Sequence, residues 1–271
     1  MKQKKEGLVN NKVTIIGLGE IGSDTLKETN KKRKDVFGVD INPKILSKLS
    51  SEGYNVGNEI PISDVYIIAV YLTEQVMEVI KKINCTNNPL IVIESTVEPG
   101  TYKTIQEWKK KNNYRFDIVL FPHRFNPQDK EHHIFNLNRV IGGDKLSIKR
   151  AINFYKYFMP LNLIHVTTPE IAELSKPMEN AYRFLEIAIA EEIKMLCEEK
   201  GIDFNKLRKA MNTKWNINVK EAKNGINGKC LPKDTDIINN FFDENKIIKN
   251  AIEIDKRYKE YVKKKKNVSG E

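Results

Sequence analysis

Cysteine is scarce in this chain. Cys85, Cys197 and Cys230 stand far apart, odd in number and without the spacing of metal ligands. That pattern argues against a disulfide framework and against a zinc site, and it suits a reducing compartment. No apolar run reaches membrane-spanning length, and Met1-Lys-Gln-Lys-Lys lacks the apolar core of a signal peptide. A cytoplasmic protein without a membrane segment is expected. Aromatic residues are only 8% of the chain and do not interleave with its basic residues. The net charge of +10, from 46 basic and 36 acidic residues, is therefore assigned to solvated helix faces and a basic tail, with no nucleic-acid module. The same positive surface suits a phosphorylated ligand.

What is present in strength is the alternation of strand and helix. Val13-Thr-Ile-Ile16 reads as a buried strand running into Gly17-Leu-Gly-Glu-Ile-Gly22, and a helical pattern then continues to about Asn30. Phe37-Gly-Val39 is a second strand and ends on Asp40, 21 residues beyond Gly19. Strand, Gly-x-Gly-x-x-Gly, helix, strand and acid is the context that a dinucleotide fingerprint requires. Gly17 makes the turn, Gly19 lets backbone approach a pyrophosphate, and Gly22 brings the helix against the strand. The helix N-terminus then faces the anion. Asp40 accepts from ribose hydroxyls and repels a 2′-phosphate, so the expected cofactor is NAD. Asn42-Pro43 opens a helix, and Thr73 is expected to cap another from Glu74 to Ile83. Further strands are Val65–Val70, Leu90–Ile93, Ile118–Phe121, Arg139–Gly143 and Leu163–Val166, with a helix near Leu146–Phe158. Ser95 and Thr96 follow one of these strands, at the carboxyl end where open α/β sheets bind ligands. Glu20, Ile21, Ile41, Val70 and Tyr71 flank these positions and complete the expected cofactor set.

After residue 166 the pattern turns helical. Thr168-Pro-Glu opens a long helix that Gly201 ends near Lys200. Ile171, Leu174, Met178, Ala181, Tyr182, Leu185, Ile189, Ile193 and Leu196 form an apolar face, with Lys176, Asn180 and Arg183 on a stripe roughly opposite. From Phe184 to Ile189 the helix is apolar nearly all round, which suits a homodimer through residues 169–200. Pro177 removes a backbone donor, and a kink is expected beside Lys176. Asp203 opens a short helix to about Asn212, and two more helices are expected near Asp234–Phe242 and Ile247–Tyr261. Between them lies Asn224-Gly-Ile-Asn-Gly-Lys-Cys-Leu-Pro-Lys-Asp234, a glycine-punctuated turn that presents Cys230 ahead of Lys233 and Asp234. A thiol near a cation is the pattern of an activated nucleophile, and a buried cysteine at a tight turn is the competing reading. The expected fold class is α/β: a Rossmann-type, doubly wound, mostly parallel sheet over residues 1–166, then an all-helical dimerisation and catalytic domain over 167–262 with one long helix, and a basic tail at 263–271.

Val39-Asp-Ile-Asn-Pro43, Glu94-Ser-Thr-Val-Glu-Pro-Gly-Thr101, Arg139-Val-Ile-Gly-Gly143, Glu173-Leu-Ser-Lys-Pro-Met-Glu-Asn-Ala-Tyr-Arg183 and Gly228-Lys-Cys-Leu-Pro-Lys-Asp234 occur in this order. Together they resemble the UDP-glucose/GDP-mannose dehydrogenase family, with the Glu-Asn-x-x-Arg segment most like its UDP-N-acetylmannosamine dehydrogenase branch. The resemblance implies oxidation of the C6 primary alcohol of a nucleotide-activated hexose to a carboxylate with two NAD+. It implies that Cys230 forms a thiohemiacetal and then a thioester, and that Lys176 and Asn180 stabilise the oxyanion. Asp234 would order water and lysine, and Thr96 would position water. His123, Arg124, Arg183 and Lys233 are the implied substrate contacts, and no metal is implied. The sequence departs from the family at His123, where a glutamate is usual, and in the reduced glycine content before Cys230. A basic residue expected near Trp215–Val219 is missing, and the segment from Asp40 to Val65 is short. Ile252–Val262 resembles the helix leading to the family's second nucleotide-binding domain, which is not seen. Two alternatives remain open: a two-electron hydroxyacid-type dehydrogenase, which also uses a helix-borne Lys-x-x-x-Asn pair, and a non-catalytic NAD-binding subunit.

Overall fold

The structure, a computed structural model, describes residues 11–124, 129 and 131–269. Met1–Lys5, the stretch 125–127 after Arg124 and the last two residues of the expected tail lie outside the described residues. The chain divides into two compact units between Lys176 and Pro177, ten residues beyond the expected boundary and inside the long helix.

The first unit is built on short apolar runs with no polar alternation. β1 (Val13–Ile16), β4 (Val65–Ile68) and β5 (Leu90–Ile93) are buried at every residue, which requires a sheet covered on both faces. With β2 (Val36–Val39), β3 (Val56–Gly57), β6 (Asp117–Leu120), β7 (Arg139–Gly143) and β8 (Ile164–Thr167) they form one eight-stranded sheet in the order β3-β2-β1-β4-β5-β6-β7-β8. The pairing is parallel except at β6–β7, so β7 and β8 run against the rest. β3 carries no legible period because it is two residues long and half glycine. Each face has its own core. One takes Leu26 of α1 (Glu20–Lys32), Leu49 of α2 (Pro43–Ser51) and Phe154 and Tyr155 of α5 (Lys145–Tyr155). The other takes Val76 and Ile80 of α3 (Thr73–Lys82) and Ile105 of α4 (Thr101–Lys111).

Asn42 caps α2 as expected, accepting from Lys44 N. Thr73 does not cap α3. The helix takes Thr73 as its first residue, the N–H groups of Tyr71 and Leu72 go to Gln75 Oε1, and Thr73 Oγ1 accepts from Glu98 N instead.

α6 (Pro169–Glu199) is one helix of 31 residues, assigned without a break through Pro177. Gly201 ends it at φ +66°. Its expected apolar face is divided. Ile171, Met178, Tyr182, Ile189 and Leu196 are exposed, whereas Ala172, Ala181, Phe184, Ala188, Ala190 and Cys197 make the buried contacts. The second unit adds α7 (Phe204–Met211), capped by Asp203 through Lys206 N, then α8 (Cys230–Phe241) and α9 (Lys246–Ser269). Two small cores hold it together, one around Cys197, Phe204 and Tyr258 and one around Phe184, Ala188, Ile226 and Ala251. Two expectations are corrected here. α8 starts four residues before Asp234, so Cys230 lies in its first turn, and α9 continues as helix to Ser269, through most of the expected basic tail.

Candidate active site

The strand order β3-β2-β1-β4-β5-β6 places a crossover reversal between β1 and β4, the position at which α/β sheets of this kind open a ligand crevice. The expected cofactor residues gather at the carboxyl ends of these strands. Gly17 holds φ +88°, and a Cβ on it would lie 2.8 Å from the Ala69 carbonyl oxygen. On Gly22 a Cβ would come within 1.8 Å of Gly17 O, so both positions require glycine for the turn and helix to close. Gly19 differs: a Cβ there would meet nothing within 4 Å. The space it leaves opens at the start of α1, whose N-cap is Gly19 itself and has no side-chain cap. Unsatisfied amides at that end suit a pyrophosphate.

Asp40 closes the other side of the turn. Its carboxylate accepts from Leu18 N at 2.6 Å and from Asn42 N at 2.8 Å. Two oxygens with one bond each keep acceptor capacity for ribose hydroxyls. Glu20, Ile41 and Tyr71 are exposed around this crevice, and Ile21 and Val70 are half-buried. These residues fit a bound NAD.

At the end of β5, Ser95 is buried and its hydroxyl donates to Ile68 O at 3.3 Å, while Thr96 is half-buried. The residue before them, Glu94, is the centre of an interior network. Its carboxylate pairs with Arg139 at 2.8 Å, both side chains being 0% exposed, and accepts from Thr25 and Tyr155 hydroxyls at 3.2 Å each. The Arg139 guanidinium also lies 3.7 Å from the Phe121 ring centroid. Burial, then the Glu94 charge, push the Tyr155 phenol well above its ordinary range. A buried pair of this kind is tolerated only with such extra bonds.

His123 is buried, and its backbone N–H donates to Glu94 O at 3.1 Å. Burial holds its imidazole well below the usual range, and the charges of Arg139 and Lys176 act in the same direction. It is neutral at physiological pH. Arg124 donates to Asn138 O at 3.2 Å.

Glu173, on the first turns of α6, is buried and reaches Gly100 N at 2.8 Å and Tyr102 N at 2.5 Å. It therefore supplies the cap that α4 lacks, since Gly100 at φ +94° has no side chain to do so. Burial raises its carboxyl above the ordinary value against the pull of those two amides. Lys176 is half-buried on the same helix.

In the second unit Asn180 and Asp234 are 2% and 1% exposed, and Asn180 Nδ2 donates to Asp234 Oδ2 at 2.6 Å. Lys233 Nζ lies 2.6 Å from Asp234 Oδ1. Asn180 thus faces protein rather than solvent, so the stripe expected opposite the apolar face is not simply a polar surface. Arg183, one turn on, is exposed. Cys230 is a free, exposed thiol at the head of α8. Lys229 at the cap position has no side-chain cap bond, and Gly228 turns the chain in at φ +95°. Pro232 falls in the first turn, where a missing N–H costs nothing. The helix N-terminus there favours negative charge on an oxygen bound beside the sulfur. A thiol so placed is not the buried cysteine of the competing reading.

Glu94, Arg139 and Glu173 sit inside motifs quoted above, yet their roles are not legible in sequence, since each acts through a partner at least 45 residues away. Among the described residues no group of three or more His, Cys, Asp or Glu could hold a metal ion, and no helix is long and apolar enough to cross a membrane.

Strand order, glycine turn and terminal acid together define the first unit as a dinucleotide-binding α/β domain. Models for the UDP-glucose/GDP-mannose dehydrogenase family match residues 55–159 (its NAD binding domain) and 170–257 (its central domain), and a TrkA-N domain model matches 13–65. The chain belongs to the UDP-glucose/GDP-mannose dehydrogenase family. It is 29% identical over 93% of its length to a UDP-N-acetyl-D-mannosamine dehydrogenase of Methanococcus maripaludis, covering 66% of that protein. The UDP-N-acetyl-mannosamine dehydrogenase structure from Staphylococcus aureus superposes with a TM-score of 0.76 at 28% identity, over 92% of this chain and 69% of that one. A 3-hydroxyisobutyrate dehydrogenase of Mycobacterium tuberculosis superposes with a TM-score of 0.71 at 14% identity, over 91% of this chain and 92% of that one, a likeness of fold alone. The chain spans about two thirds of the length of the curated relatives it matches.

Proposed function

We propose that this chain takes part in the NAD-dependent oxidation of the C6 primary alcohol of a nucleotide-activated hexose, an N-acetylated UDP-sugar being favoured by its relatives' names. The observation that carries the reading is the position of Cys230: exposed at the head of α8, four residues before Asp234, which is buried against Asn180 and paired with the half-buried Lys233. NAD+ supplies the hydride acceptor, two equivalents per sugar. Cys230 Sγ adds to the aldehyde carbon as a thiohemiacetal. Loss of the second hydride leaves a thioester, and water attacks its carbonyl to release the carboxylate and return the thiol. The ammonium of Lys176 and the amide of Asn180 are assigned to the oxyanion. Asp234 orders water and lysine, Thr96 positions water, and His123, Arg124, Arg183 and Lys233 are assigned to the substrate. His123, neutral and buried, serves as a hydrogen-bonding group or a neutral base but not as a cation. A homodimer through α6 is part of the same proposal, since Ile171, Met178, Tyr182, Ile189 and Leu196 leave an apolar stripe exposed along it.

The test is NADH release across a panel of UDP- and GDP-hexoses, N-acetylated ones included. Turnover of at least one UDP-sugar is expected. Release of NADH only with small hydroxyacids would favour the two-electron alternative, and release with none would leave an NAD-binding subunit.

A further inference from the structure

The loop that presents Cys230 is held from behind by α9. Ile226 is 3% exposed, its side chain packed with Phe184, Ala188 and Ala251. Its N–H donates to Asp255 Oδ1 at 2.7 Å, and its carbonyl accepts from Lys259 Nζ at 2.9 Å. Lys259 also bonds Asp255 Oδ2 at 2.7 Å. Both backbone polar groups of one loop residue are therefore taken by a single i,i+4 acid–base pair. Gly225 fits this arrangement: at φ +83°, a Cβ on it would strike the Lys259 stem, 2.4 Å from Cγ. The upstream end of the loop is tied as well, with Lys194 Nζ donating to Ala222 O at 3.1 Å and the Tyr258 hydroxyl to Lys223 O at 2.9 Å.

An Asp–Lys pair one turn apart on a helix ordinarily contributes little, because water competes for both ends. Here Asp255 is 6% exposed, and the pair has a backbone to hold. Beneath it lies Glu191 of α6, 0% exposed and with no hydrogen-bond partner for either oxygen. Burial foremost, then the Asp255 charge, push its carboxyl up to about 8, against Lys259 and Lys194. A neutral Glu191 leaves the Lys259 ammonium to Asp255 and the loop.

We propose that Asp255 and Lys259 are positioning residues: a clip on the Ile226 backbone that fixes the loop four residues ahead of Cys230 and so sets where the sulfur stands. The proposal rests on the reading of Cys230 as the nucleophile, and its test has one readout that does not.

Amide hydrogen exchange of residues 225–229 is measured in the full chain and in Asp255→Asn, Lys259→Met and Lys259→Arg, alongside kcat and KM on the best UDP-sugar. In Asp255→Asn and Lys259→Met, exchange in that segment is expected to rise about tenfold or more, while the sheet of the first unit keeps its protection. The same variants are expected to lose about 10- to 100-fold in kcat with KM for NAD held within about twofold, and Lys259→Arg to recover most of kcat. Wild-type exchange at 225–229 in both variants would overturn the proposal. So would raised exchange with an unchanged kcat, which is the behaviour of a merely structural tie. Should Asp255→Asn fail to fold, Lys259→Met, whose side chain is 40% exposed, decides alone. If the wild type releases no NADH with any sugar, the dehydrogenase reading fails by itself, and the exchange measurement still decides whether the clip holds the loop.

Discussion

The two units hold their functional groups by opposite means. In the first, the cofactor crevice is made mostly of backbone: a glycine turn, a bare helix start and an acid tied by two amides, all within residues 17–42. In the second, key groups are held by residues far away in sequence: the Asn180 side chain by Asp234, and the Ile226 backbone by Asp255 and Lys259. A local backbone site tolerates change around it but not within it. A site assembled from distant side chains is sensitive along the whole of its support.

Four substitutions bear on that contrast. The largest effect is expected from Cys230→Ser, which removes the proposed thioester route and should cut carboxylate formation by about a thousandfold or more while NAD binding stays intact. Product analysis showing carboxylate at the wild-type rate would mean that the second unit's chemistry lies elsewhere. Next is Arg139→Met, which leaves Glu94 buried without its cation and should cost about 3 kcal/mol or more of unfolding free energy in urea. A near-neutral result would show that the network of Thr25, Tyr155 and Glu94 is not what supports the end of β5.

Glu191→Gln tests the second unit through pH. The folded carboxyl titrates at about 8 against an ordinary value of 4.5. Between these values the folded chain keeps a proton that the unfolded chain has lost, so this contribution to stability is full at acid pH and falls as pH rises, reaching its floor above about 8. Wild type should therefore lose roughly 3 kcal/mol between pH 6 and pH 9 that Glu191→Gln does not. Parallel stability curves for the two proteins would remove Glu191 from the account. The smallest effect, and the sharpest separation, is expected from Gly19→Ala. Nothing lies within 4 Å of the added methyl, so stability should stay within ~0.5 kcal/mol of wild type, while NAD affinity by fluorescence titration falls about tenfold. Unchanged affinity would place the pyrophosphate away from Gly19.

The same contrast explains what could be read in the chain itself. The sheet and its crevice were legible because each strand is a continuous apolar run and the glycine spacing is a local code. β3 has no period to betray it, and Thr73 reads as a cap because its acceptor role toward Glu98 N is 25 residues distant. In the helical unit the periodicity of α6 showed a long helix but not which apolar side the chain itself would cover, as the exposure of Tyr182 and Ile189 makes plain. The start of α8 at Cys230 was hidden because Gly-Lys-Cys-Leu-Pro reads as turn until the following helix is seen to extend back through Pro232. Asp255 and Lys259 looked like any solvated pair on a helix face, and Glu191 like any helix glutamate. Only their three-dimensional neighbours distinguish them.

The most direct measurement of the proposed chemistry is the number of NADH molecules formed per UDP-sugar consumed, followed to completion with the sugar limiting. Oxidation through a sulfur-bound intermediate requires two, with a uronate as the product. A count of one, with an aldehyde or ketone accumulating, would contradict that account and leave a two-electron dehydrogenase on the same fold.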